Sequence, residues 1–194
     1  LLFHYALPAV VGTAVNSLYN IVDRIFIGNG VSEYALSGLA ITFPILIFLM
    51  AFGMLVGAGA SVRVSILLGR KDIKEAEHTL ANAIFLTFFT QALTIIPCYI
   101  FMEPLLRLFG ASERTLPYAM EYLQYVVPAN IFSALSFGFN AIMRASGYPR
   151  KAMITMIIGA MTNVVLDHIF IYPLGMGISG AAIATVISMI VCSV

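Results

Sequence analysis

Two short stretches hold polar residues at spacings that can do chemistry inside an otherwise apolar chain. In TAVNSLYNIVD, Thr13 to Asp23, the residues Thr13, Asn16, Asn20 and Asp23 follow at offsets of three, four and three, which is one face of an α-helix. In TNVVLDHIFI, Thr162 to Ile171, Asn163 and Asp167 continue a second such face that begins at Gly159, at i, i+4 and i+8. A carboxylate near the centre of a membrane costs about 2.5–3.5 kcal/mol on insertion scales, so a chain that keeps two needs a use for them. An Asp in such a pocket can bind a cation or take up a proton, and oxygen ligands suit either ion. Both options describe a coupling-ion site for H+ or Na+.

Each polar group also has a plainer reading. Asp23 is followed by Arg24 near a helix end, where an interfacial ion pair is the competing arrangement. His168 lies roughly 100° around the helix from Asp167, either as a second titrating group or as a packing histidine. Tyr19 and Asn140, with Asn16 and Asn20, are weaker candidates to line a substrate cleft.

The elements that must hold these residues follow from composition. Of 194 residues, 61% are hydrophobic and 10% charged, and mean hydropathy is +0.99, which lies outside the soluble globular range. Charge-free runs cover residues 1–22, 34–62, 78–102, 122–143, 152–166 and 168–194, and a helix needs about 20 apolar residues to cross a bilayer. The run 152–166 is too short unless Asp167 itself lies within the membrane and the helix continues to Tyr172. Six spans are therefore predicted, at about residues 2–27, 35–62, 79–102, 117–143, 152–172 and 178–194. The fold class is an all-α integral membrane protein, a six-transmembrane-helix bundle forming a single domain over 1–194. Alternating segments of a membrane β-barrel are absent from the sequence. The first residue is Leu1 with no basic region before the first apolar run, and Val194 lies inside an apolar run, so a piece of a longer protein is expected.

Net charge is +1, which gives no basic surface for nucleic acid. Cys98 and Cys192 both fall in predicted spans, as small packing residues rather than a disulfide or a metal pair. No nucleotide-binding loop, zinc-type histidine pair or nucleophile elbow occurs, so neither an enzyme nor a cofactor is expected beyond the coupling ion.

Basic residues orient the chain. Arg63, Arg70, Lys71, Lys74, Arg144, Arg150 and Lys151 fall in the even-numbered loops, and Arg24, Arg107 and Arg114 in the odd ones. The even loops are then cytoplasmic, the N-terminus is cytoplasmic, and spans 1, 3 and 5 run outward through the plasma (inner) membrane. On that scheme Asp23 and Asp167 each sit roughly 8–9 Å below the outer end of a helix, at matching depth. Pro8, Pro44, Pro97 and Pro128 lie inside spans, where a bend serves either packing or motion. Span 2 carries Gly53, Gly57 and Gly59, and the small-xxx-small spacing of Gly53 to Gly57 suggests close helix packing. The segment GRKDIKEAEHT, Gly69 to Thr79, reads as a cytoplasmic surface helix leading into span 3.

Three stretches together carry a resemblance: LPAVVGTAVNSLYNIVDRIFIG (Leu7–Gly28), RASGYPRKAM (Arg144–Met153) and TNVVLDHIFIYPLGMGISGAAIATVIS (Thr162–Ser188). The chain resembles, over essentially its whole length, the N-terminal half of the multidrug and toxic compound extrusion (MATE) transporters. The resemblance implies one lobe of a twelve-helix transporter with two six-helix lobes related by pseudo-twofold symmetry, the C-terminal lobe lying outside this chain. It implies export of cationic or amphipathic small molecules in exchange for protons or sodium ions by alternating access. The family's first-span acid falls on Asp23, its fifth-span asparagine and aspartate on Asn163 and Asp167, and its sixth-span threonine on Thr185, which comes from the resemblance alone. The position after the aspartate is often proline in relatives and is His168 here. Two other readings stand beside this one: a flippase of lipid-linked oligosaccharide or peptidoglycan precursors from the same superfamily, and a non-transporting membrane scaffold.

Overall fold

The computed structural model of the chain describes residues 2–193, with side chains over residues 6–193. The described residues form seven helices: α1 (Leu2–Gly30), α2 (Glu33–Gly69), α3 (Ile73–Ile100), α4 (Met102–Leu108), α5 (Leu116–Ala145), α6 (Pro149–Ile171) and α7 (Gly177–Ser193). By length and composition α2, α3, α5 and α6 can each cross a membrane, and α7 is a shorter apolar helix. α1 has 29 residues, and its hydropathy is held down by Asn16, Asn20 and Asp23. Pro8, Pro44, Pro97 and Pro128 all lie inside continuous helices.

The starts and stops follow local chemistry. Ser32 caps α2 by accepting from the Ala35 amide at 3.1 Å, and Asp72 caps α3 by accepting from the Glu75 amide at 3.2 Å. Gly147, at φ +92°, closes α5 in the left-handed region, and Pro149 opens α6 two residues later.

Two features depart from the sequence expectation. The predicted inner loop 63–78 shrinks to residues 70–72, because α2 continues to Gly69 and α3 begins at Ile73. At 37 residues α2 is longer than the roughly 30 Å hydrocarbon core requires. Good helix formers such as Arg63 and Leu68 keep the helix going through its last turns. The charged segment is accordingly the first turns of α3 rather than a separate surface helix. Second, the predicted loop 103–116 contains α4, whose Arg107 bonds Glu103 at 2.9 Å and Glu113 at 2.7 Å.

Neighbouring helices run in the order α3, α2, α5, α7, α6, α1 around the bundle, and α1 touches α2 only slightly. In lipid, where apolar burial gives little drive between helices, such packing depends on close backbone approach. At the α2–α5 crossing Gly53 faces Ala134 and Gly57 faces Gly138. The core behind them, including Leu49, Leu123, Val126 and Val127, is sealed from outside. Because α1 leans on α6 and α2 leans on α5, a hollow is left between α1 and α2, and it is this hollow that the polar residues face.

Candidate functional site

The two polar stripes meet. Along α6, Gly159, Asn163 and Asp167 are all buried, with Asn163 1% and Asp167 0% exposed. Gly159 is where α7 comes closest: a Cβ there would collide with the Cys192 sulfur. Along α1 the stripe is graded, with Thr13 exposed and bonded to its own helix at Ala9, Asn16 and Asn20 half-buried, and Asp23 buried. Asn20 donates to the Asn16 carbonyl at 2.7 Å.

At the deep end of both stripes the carboxyls of Asp23 and Asp167 are brought together across the α1–α6 seam, close enough to feel each other's charge. Among the described residues no N–H or O–H donor reaches Asp23 Oδ1 or either oxygen of Asp167. Two carboxylates so placed, out of water, repel by several kcal/mol at a separation of about 4 Å. The pair is therefore stable with one proton shared between the two groups, or with a cation against them. Arg24 does not supply that cation, since among the described residues it forms no salt bridge. Its guanidinium lies instead over the Phe43 ring of α2, 4.4 Å from the centroid.

The polar surroundings extend from the pair. The Asn163 amide donates to Thr185 Oγ1 at 3.5 Å, and the Tyr122 hydroxyl lies 3.5 Å from that same oxygen. These long contacts set Asn163 (α6), Thr185 (α7) and Tyr122 (α5) around one hydroxyl. The hollow is a cavity of about 480 Å³ whose walls include Asn16, Tyr19, Asn20, Asp23, Tyr122 and Thr185. Apolar walls come from Leu39, Leu46, Met50, Val126 and Met189. A smaller hollow of about 70 Å³ continues from it past Ser133, Ser136, Asn140 and Ser188.

Asn140 lines only this smaller hollow, and its amide is engaged, donating to the Ala152 carbonyl at 2.6 Å and to Thr155 at 3.4 Å. Asn140→Leu is therefore expected to lower stability by about 1 kcal/mol, the scale of interhelical hydrogen bonds in membranes, with ion coupling retained. Thermal unfolding in detergent checks the first half; a coupling defect with unchanged melting would assign Asn140 to the site instead. His168, adjacent in sequence to Asp167, is exposed on another face, its ring 5.4 Å from Tyr172 and 6.0 Å from Phe26.

Tyr122, Thr42 and Asn130 also line the large cavity and were not singled out from the sequence. A signal was present for two of them: Tyr122, Val126, Asn130, Ser133, Phe137 and Asn140 recur every three or four residues along α5, a third polar-aromatic stripe. Its aromatic and aliphatic members hid it beside the acids.

Comparison with known proteins matches the chain to a family. The MatE family model matches residues 8–169. The multidrug export protein MepA of Staphylococcus haemolyticus is 31% identical over 187 residues, covering 96% of this chain and 41% of its own length. MepA of Staphylococcus aureus strain NCTC 8325 is 30% identical over 187 residues, covering 96% of this chain and 42% of its own length. A crystal structure of a MATE protein in the bent conformation superposes with a TM-score of 0.91 at 29% identity, covering 99% of this chain and 43% of that one. The chain thus spans about two fifths of the length of the curated relatives it matches.

Proposed function

Because this chain belongs to the MatE family, we propose that it forms the N-terminal lobe of a secondary active transporter. The transporter exports cationic or amphipathic small molecules in exchange for an ion held at Asp23 and Asp167, with Asn163 and Thr185 beside them. The single observation that supports this most is the meeting of two buried carboxyls, carried by two different helices, one of which, Asp23, lines a 480 Å³ cavity. A site whose two carboxyls sit on α1 and α6 ties ion occupancy to the contact between these helices, and α1 touches α2 only slightly. Proton binding and release then bias the bundle between two openings, and substrate in the cleft against the second lobe biases it the other way. Asn16, Tyr19 and Asn20 face the same cavity as Asp23, so substrate and ion compete through shared walls. The chain is read as sitting in the plasma membrane with its N-terminus, the turn 70–72 and the turn 146–148 with its flanking Arg144, Arg150 and Lys151 on the cytoplasmic side.

The two carboxyls face each other across the α1–α6 seam, and one proton between them relieves their repulsion, which favours a proton over sodium as the coupling ion. The test uses the full-length parent protein in inverted vesicles, with dye-reported movement of a cationic compound under imposed gradients. An imposed proton gradient is expected to drive export, and a sodium gradient at equal pH is not. Export driven by sodium alone would place a cation between the acids, and no response to either gradient would end the transport reading.

A further inference from the structure

The mouth of the large cavity is closed on one side by a contact that the ion site does not use. Arg24 and Phe43 both line the cavity, one from α1 and the other from α2, with the Arg24 guanidinium 4.4 Å from the centre of the Phe43 ring. Arg24 also borders a second hollow of about 310 Å³, toward Gly28 and Leu36, so its side chain separates two spaces along the α1–α2 seam. Among the described residues no carboxylate pairs with it. Asp23, the next residue, turns to Asp167 while Arg24 turns to an aromatic face. An arginine that forgoes a neighbouring acid for a ring, beside a cavity with the Asp23 carboxyl in its wall, has the chemistry of a cation bound on an aromatic platform.

We infer that Arg24 is a tethered cation that fills the aromatic platform at the cavity mouth, and that a cationic substrate binds by displacing its guanidinium from the Phe43 ring. The inference rests on the export reading and deepens it, because it says how cations are selected. A permanent or protonated cation with an apolar body can take both the ring and the apolar walls that the long Arg24 side chain covers. A neutral molecule of the same shape lacks the charge that replaces Arg24 on the ring. Arg24 is thereby a specificity-determining residue: it taxes every ligand by the contact that must be broken, and only a cation recovers the loss. Since α1 and α2 otherwise touch slightly, releasing Arg24 also frees α1 from α2, so binding and movement of α1 are linked.

The experiment measures equilibrium binding to the purified full-length parent in detergent, with tetraphenylphosphonium as the cationic probe and triphenylphosphine oxide as the neutral one. Arg24→Gln is expected to tighten tetraphenylphosphonium about threefold to tenfold, the scale of a partly exposed cation–π contact, and to leave the neutral probe unchanged. Arg24→Lys keeps the charge and should stay near the parent. Adding Phe43→Leu to Arg24→Gln should cancel the gain, since the vacated platform is then gone. Size-exclusion profiles confirm that each variant is folded. The inference is overturned if Arg24→Gln weakens or leaves unchanged the cationic probe, if both probes shift alike, or if neither parent nor variant binds tetraphenylphosphonium. Loss of ion-driven export with the tightened binding intact sinks the transport reading alone; the reverse result sinks only the displacement.

Discussion

Asp167→Asn in the full-length parent is expected to reduce ion-driven export on the order of a hundredfold, near the upper end of ordinary coupling free energies. The side chain is 0% exposed and faces Asp23 across the α1–α6 seam. An amide of nearly the same shape fills that space but neither loses nor gains a proton in the working range, so the two ion states of the seam collapse into one. The direction of the accompanying stability change separates function from structure. The Asn amide can donate to the Asp23 carboxylate, converting a pair that needs a proton into one that is always satisfied, so the variant should insert normally and melt no lower than the parent. Antiport of a cationic compound in inverted vesicles, together with thermal unfolding in detergent, reads both. If parent and variant export alike, Asp167 is structural and the ion site is withdrawn even though family membership stands. If export falls only as far as folded protein falls, the residue is a packing group.

The second large effect concerns the α2–α5 crossing. A Cβ at Gly57 would lie 2.6 Å from the Gly138 Cα, and one at Gly53 would lie 2.6 Å from the Ala134 Cβ and 2.9 Å from its Cα. Backbone atoms cannot step aside as the end of a long side chain can, so a larger residue must push the two helices apart. Gly57→Val is expected to destabilise by about 3 kcal/mol or more, at the high end of overpacking costs. Gly59 stands only two residues further on, where a Cβ would meet nothing within 4 Å. There Gly59→Ala should be neutral or stabilising by up to about 1 kcal/mol from helix propensity. Fluorescence-detected size exclusion after heating compares the two directly, and equal melting of Gly57→Val and Gly59→Ala would remove the crossing as the reason for these glycines. The contrast matters for the site, because α5 carries Tyr122 and Asn130 into the cavity wall that α2 completes with Thr42 and Phe43.

Those glycines show where sequence reasoning stops. The four-residue spacing of Gly53 and Gly57 marks a close-packing face, but only the facing helix shows that Ala134 and Gly138 are what they meet and that Gly59 meets open space. Arg24 is a similar case. Beside Asp23 it reads as half of an ion pair, yet the helical step between consecutive residues points the acid at α6 and the arginine at α2. His168 is carried away from the acids by the same step, into an aromatic group with Tyr172 and Phe26. Tyr122 needed its partner Thr185 on α7 before it stood out from other aromatic residues.

By itself the sequence determined the class of the molecule, the polar faces of α1 and α6, and the matched depth of Asp23 and Asp167. These follow from one-dimensional physics: the length of apolar chain that crosses a bilayer, the cost of a charge within it, and the 3.6-residue repeat that gathers polar groups on one side. What only the tertiary structure decided is which faces meet. The order of helices around the bundle, the slight contact between α1 and α2 that leaves the cavity, the approach of the two carboxyls, and the seat of Arg24 on Phe43 are all relations between segments distant in the chain. They are set by how closely backbones can approach at particular small residues, and a helical repeat carries no record of its neighbour.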